Sequence, residues 1–387
     1  MLIIHAGLHK TGSTAIQSAL GSMTREELSN FEYRGPHSLA LVPNDNFANG
    51  VKVGFQTPSV PSVLKVPSRT ERLLQRGKNV ILSSEDFLGS MRDFYADAPI
   101  KARRMTQYFG PGFQFQVVIY LRPQYSWLPS VYTQLIQEGD QDKVKDFITK
   151  ALGHKYVKFS NLVEDLTEEL GPDRLVVRAY DGRTDVVADF LSVLGLPFPP
   201  RFLSRARPNT SLSASQVVLM RLMNEQSTRD ESRLIRYFFQ YRARHSQTTQ
   251  DALDSSILPI EIQEKLRVLT VEDWQCLLNQ NNESLNSIRN TVESTVRRAE
   301  KLTTAPYIDA QEGSPKLVNQ AAEFLRLAVV LPPSSPATFR QTLERLNALN
   351  WRHPRVLANQ LQRFSARIML RPLRRVRAFL FKAGFMR

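Results

Sequence analysis

Short, dense apolar runs alternate with longer amphipathic stretches through the first half of the chain. LIIHA (residues 2–6), NVILSS (79–84), FQFQVVIYL (113–121) and RLVVRAY (174–180) are rich in β-branched and aromatic residues and predict strands. Between and after them, helical periodicity covers about 14–21, 99–109, 124–138, 159–170 and 184–194. Alternation of this kind predicts an α/β fold, a mostly parallel sheet flanked by helices. Ligands of such sheets bind beyond the carboxyl ends of the strands.

The rest of the chain is patterned differently. Residues 31–68 are rich in Pro, Gly, Ser and Asn and predict a long irregular insertion, a kind of loop that is often functional. Ser213 and Gln216 stand at capping-box spacing ahead of an amphipathic helix. From there on the patterns are helical only, broken by LPPSSP at 331–336. The chain therefore divides into a binding domain at 1–225, a helical region at 226–350 and a tail at 351–387.

Charge sharpens this division. Net charge is +14, and the tail alone, with nine arginines, one lysine and no acidic residue, carries +10 of it. The basicity is thus local, which argues against a whole-surface nucleic-acid footprint and predicts no specific nucleic-acid partner. Leu357, Leu361, Phe364 and Ile368 recur at helical spacing, with Arg363, Arg367 and Arg371 off that stripe. This is the pattern of a basic amphipathic helix able to lie on an anionic membrane, and its plain alternative is a helix packed on the core. The lone cysteine, Cys276, excludes an internal disulfide and suits a reducing compartment. The first apolar run leads straight into a loop, with no signal-peptide layout, and no run is long enough to span a bilayer. A cytoplasmic protein is expected, peripheral at the inner face of the membrane if the tail binds there.

The candidate chemistry begins in IIHAGLHKTGSTAIQSAL, residues 3–20. Gly7 and Gly12 are spaced as in a nucleotide phosphate-binding loop, but Ser13 stands where that pattern has lysine, and Lys10 comes three residues earlier. A strand, a glycine turn and a helix N-terminus can hold an anion on backbone N–H groups without that lysine. The third strand ends in Arg122, where a magnesium-binding carboxylate could stand; an arginine favours an anion and repels a metal.

With these departures the chain resembles sulfotransferases that use 3′-phosphoadenosine 5′-phosphosulfate (PAPS). HKTGST at 9–14 matches their 5′-phosphosulfate loop, and LRPQYSWLPS supplies an arginine and, eight residues on, a serine, their 3′-phosphate signature. ILSSEDF, LVVRAYD, ADFLSVLG and RPNTSLS extend the likeness, in the order seen in bacterial members, over roughly residues 1–225. RARPNTS at 205–211 lacks the glycine of the basic loop that closes the 3′-phosphate site in many members, which leaves contacts from Arg205 or Arg207 open. The resemblance implies a P-loop-containing fold and sulfuryl transfer to a hydroxyl or amine of a carbohydrate or glycolipid. It implies Lys10 at the leaving phosphate, Thr11, Gly12, Ser13 and Thr14 at the 5′-phosphate, Arg122 and Ser130 at the 3′-phosphate, and no metal.

The acceptor's proton needs a base. Glu85, at the end of the second predicted strand, is the first choice by likeness to carbohydrate sulfotransferases; Asp86 and His9 are the alternatives. His5 reads as a core residue, and the scattered histidines give a zinc site little support. LIRYFFQY at 234–241 reads as helix packing before an acceptor groove. Two other function classes stay open: a P-loop small-molecule kinase using ATP and magnesium, and a non-catalytic basic scaffold.

Overall fold

A computed structural model describes residues 1–34, 73–202, 212–225, 256–280, 285 and 288–305. The readings for most of the 31–68 insertion, for Arg205 and Arg207, for 234–241, for LPPSSP and for the basic tail lie outside the described residues.

Five strands form one all-parallel sheet in the order β2-β3-β1-β4-β5: β1 Leu2–Gly7, β2 Phe31–Arg34, β3 Asn79–Ser83, β4 Phe115–Leu121 and β5 Leu175–Ala179. Among the described residues the α-helices are α1 Ser13–Ser22, α2 Ala98–Phe109, α3 Gln124–Gln137, α4 Val144–Leu152, α5 Phe159–Leu170, α6 Val186–Val193, α7 Ala214–Asn224, α8 Ile260–Asn279 and α9 Arg289–Glu300. The predicted α/β class holds, with a sheet that is parallel throughout. All four predicted strands form, and so do the five predicted helices of the first half.

The sheet is covered on both faces, so β1 is buried along its whole length. One phase of the strands, Ile3, Ile81, Val118 and Tyr120, shares a core with Ile16, Ala19 and Leu20 of α1 and Val187, Phe190 and Leu191 of α6. The other phase, including Leu2, Ile4, Leu82, Val117 and Ile119, is equally buried. Each such side chain contributes about 1.5–3 kcal/mol on burial. A carboxylate, Asp189 of α6, fastens this face by accepting from Tyr120 Oη of β4 at 2.7 Å and from Arg178 Nε of β5 at 3.0 Å.

One expectation is corrected: the irregular insertion begins with a strand. Phe31–Arg34 pairs in parallel with β3, and Phe31 and Tyr33 pack against the core. A run of four alternating residues is too short to stand out as a pattern. Helix α4, with Phe147, Ile148 and Ala151 buried, was also not anticipated.

The chain separates into two compact units. The first comprises Met1–Val131, Ile148–Pro208 and Glu261–Thr303, so most of α8 and all of α9 belong with the sheet. Within it, Asp273 of α8 is buried and accepts from Phe159 N (2.7 Å), Ser160 N (3.0 Å), Ser160 Oγ (2.5 Å) and Gln124 Nε2 (2.6 Å). A carboxylate from a distant helix thus caps α5 and meets the first residue of α3. Burial lifts the Asp273 pKa above the usual carboxylate range, against the pull of those donors. Trp274, fully buried beside it, donates Nε1 to Gln124 Oε1 at 3.0 Å.

The second unit comprises Tyr132–Phe147, Asn209–Ile260 and Thr304–Arg387. Here the predicted capping box forms: Ser213 N donates to Gln216 Oε1 at 2.9 Å, and Gln216 N to Ser213 Oγ at 3.3 Å. Buried Asn224, at the end of α7, donates to the carbonyls of Ile136 and Asp140 at 2.7 and 2.8 Å.

Candidate functional site

Strand order sets the place of the site. The connection leaving β1 leads to β2 on one side and that leaving β4 leads to β5 on the other, so the carboxyl ends of β1 and β4 flank a switch point. Residues 8–12 follow β1 there, Glu85 follows β3, Arg122 follows β4 and Tyr180 follows β5. The sheet therefore gathers most of the predicted site residues along one edge.

The loop is held by its own backbone and by buried neighbours. Leu8 N donates to Tyr120 O at 3.4 Å, and Thr11 Oγ1 donates to Leu8 O at 2.5 Å, closing a tight turn. Trp127 Nε1 donates to His9 O at 3.1 Å, and His9 N donates to Tyr95 Oη at 2.6 Å. The loop is thereby clamped from α3 and from the segment after β3. Lys10 sits at φ 67°, in the left-handed region that costs an L-residue about 1–2 kcal/mol, and its side chain is exposed. Arg122 Nη1 donates to the Lys10 carbonyl at 2.9 Å.

Gly12, the N-cap of α1, has φ 91°. A Cβ there would come within 2.8 Å of Val186 Cγ1 and 3.2 Å of Tyr180 Cε2, so this glycine is required by the packing of α6 on the loop. Gly7, at φ 87°, lets Glu85 approach; a Cβ would lie 3.1 Å from Glu85 Cγ.

The predicted residues are not equivalent in their setting. Lys10 and Thr14 are exposed, the latter on the first turn of α1. Thr11 and Ser13 are buried, and the Thr11 hydroxyl is turned inward to Leu8, leaving its backbone as the part that could meet an anion. Arg122 is half-buried over the Tyr180 ring, 5.7 Å from its centroid, and burial lowers its pKa. Its Nε donates to Ser126 Oγ at 3.2 Å, while Ser130 Oγ donates to Ser126 O at 3.0 Å. Arg122, Ser126 and Ser130 follow one another at four-residue steps, so the predicted pair is linked through a serine that sequence reasoning did not single out. The signal was the same spacing that makes i and i+4 neighbours on a helix.

Glu85 Oε2 accepts from Gln17 Nε2 of α1 at 3.3 Å, and the same amide reaches Ser83 Oγ at 3.3 Å. Ser83 Oγ lies 2.7 Å from Nδ1 of His5. His5 is core, as expected: it is 1% exposed, and burial lowers its pKa from 6.5 to about 3, so the ring is neutral. Asp86 Oδ1 is 3.5 Å from His9 Nε2, and His9 Nδ1 is 2.7 Å from Tyr95 Oη. Burial raises the Tyr95 pKa well above its usual value, which keeps the phenol protonated. Glu85 and the Asp86–His9 pair thus stand side by side at the end of β3, one against Gly7 and the other against His9. Gln17 and Tyr95, which set these geometries, carried no recognisable spacing.

Among the described residues, no helix is long and apolar enough to cross a membrane. No family model matches the chain, and no solved structure matches it. A protein of Archaeoglobus fulgidus (strain ATCC 49558 / DSM 4304 / JCM 9628 / NBRC 100126 / VC-16), named as an uncharacterized protein, is 30% identical over 132 residues, 32% of this chain and 35% of its own length. The chain thus spans about a third of that relative.

Proposed function

We propose that the protein is a PAPS-dependent sulfotransferase acting on a hydroxyl or amine of a carbohydrate or glycolipid. The observation that carries this reading is the convergence, at one switch point, of a glycine-framed loop before a helix N-terminus, a half-buried arginine bonded to that loop, and a carboxylate against its first glycine. The loop and α1 offer backbone N–H groups and a helix dipole to a 5′-phosphate. Arg122 and Ser130 would take the 3′-phosphate, the arginine by charge-assisted hydrogen bonds. No described carboxylate stands in Arg122's place at the end of β4, which favours this reading over a kinase holding magnesium there.

PAPS supplies an activated sulfuryl group, whose S–O bond to phosphate breaks as the acceptor oxygen bonds to sulfur. Lys10 would stabilise the negative charge that grows on the leaving phosphate. Glu85, steadied by Gln17, would accept the acceptor's proton, with the Asp86–His9 pair as the neighbouring alternative. The tail at 351–387 would hold the enzyme at the inner face of the membrane, near a lipid-linked acceptor. Calorimetry with adenosine 3′,5′-bisphosphate, with ATP plus magnesium and with DNA tests the reading. Binding of the bisphosphate alone is expected; tight binding of ATP with magnesium and none of the bisphosphate would overturn it.

A further inference from the structure

Helix α9 brings an arginine to the strand ends that the preceding reading does not use. Tyr180 N donates to Leu121 O at 2.7 Å, so the chain leaves β4 and β5 side by side. Arg122 lies over the Tyr180 ring. The next residue, Asp181, accepts from Arg183 N at 2.9 Å and Thr184 N at 3.0 Å, and from Arg298 Nη2 of α9 at 2.8 Å. The Asp181 side chain is only 8% exposed. Arg298 Nε donates to Ser294 O at 3.2 Å, so two of its three nitrogens are fixed and Nη1 belongs to neither contact.

Arg122 and Arg298 stand against two residues, Tyr180 and Asp181, which are consecutive in the chain. Tyr125, on the first turn of α3, lies within electrostatic reach of both Arg298 and Arg122. A guanidinium held along one edge keeps N–H donors for a second oxyanion, and its orientation is already fixed. Arg122 is held in the same manner, by Ser126 and the Lys10 carbonyl.

We propose that Arg298 is a ligand-binding residue, acting with Arg122 as a two-arginine receptor for the second phosphate of a nucleoside bisphosphate. Helix α9 is then part of the binding site. This rests on the sulfotransferase reading only in taking the ligand to carry a 3′-phosphate. Asp181 positions Arg298 before the ligand arrives.

The test is calorimetry with adenosine 3′,5′-bisphosphate and with adenosine 5′-phosphate on the full chain. Wild type is expected to prefer the bisphosphate, and Arg298→Gln to lose about ten- to a hundredfold of bisphosphate affinity while binding the monophosphate unchanged. Arg298→Lys should recover part of that loss, and Arg297→Gln, an exposed neighbour paired with Glu293, none of the defect. A wild type without preference would overturn the 3′-phosphate reading itself. A wild type that discriminates, with an Arg298→Gln variant that discriminates equally, would overturn this proposal alone, as would equal weakening of both ligands.

Discussion

Glu85 and Gly12 show how differently two loop-side residues can matter. Glu85 touches Gly7 and the Gln17 amide, so Glu85→Gln keeps the shape and removes the proposed proton acceptor. The expected result is near-normal binding of adenosine 3′,5′-bisphosphate with acceptor sulfation reduced 100-fold or more, about the 10²–10⁴ range of general-base losses. Full activity in this variant, with none in Asp86→Asn, would move the base by one residue. Gly12→Ala combines a left-handed backbone with a 2.8 Å approach to Val186. It should cost about 2–4 kcal/mol in urea unfolding, and a midpoint unchanged from wild type would contradict the packing described for α6. His5 adds a pH dependence. Its folded pKa of about 3 lies below the unfolded 6.5, so on acidification the unfolded chain takes up a proton that the folded one refuses. Stability from this residue is complete above pH 6.5 and falls by up to about 1.4 kcal/mol per pH unit down to about 3. Between pH 6.5 and 5, where few carboxylates titrate, His5→Asn should flatten that slope; an equal slope in both proteins would assign it elsewhere.

At the scale of elements, Asp273 is the most exposed to test. Its four donors come from α3 and α5, while the carboxylate comes from α8. Asp273→Asn places an amide N–H against at least one of those donors, and leaving a buried donor unpaired costs about 1–3 kcal/mol. Accelerated hydrogen exchange at the Phe159 and Ser160 amides, ahead of global unfolding, is the expected signature; retained protection there would show that α5 does not need this cap. The elements themselves were largely legible in the sequence. The strands announce themselves by dense β-branched runs, and the loop and Arg122 by spacing that survives any packing. The Ser213–Gln216 box was readable because both partners lie within one turn. What sequence could not supply is long-range pairing: Asp273 and Ser160 are 113 positions apart, and nothing local marks either as a cap. Contacts of the same long-range kind place most of α8 and all of α9 in the compact unit of the sheet.

Across the whole molecule, the centre of the sheet is made of its earliest segment. Leu2–Gly7 pairs with residues 80–83 on one side and with 115–119 on the other, and its loop is clamped by Tyr120 and Trp127. A chain that ends before Phe115 lacks one of the two neighbours of β1 and should bind no adenosine bisphosphate; binding by such a fragment would mean that the loop forms without its sheet. The same arrangement has a consequence in time. At about 5–20 residues per second of synthesis, the apolar β1 segment waits roughly 6–25 s for β4 to be made. During that interval a largely apolar strand with at least one open edge is available to the wrong partner. Yield in the cell should therefore depend on translation speed over residues 8–121 and on chaperone supply, even though the finished strand is among the most deeply buried parts of the protein.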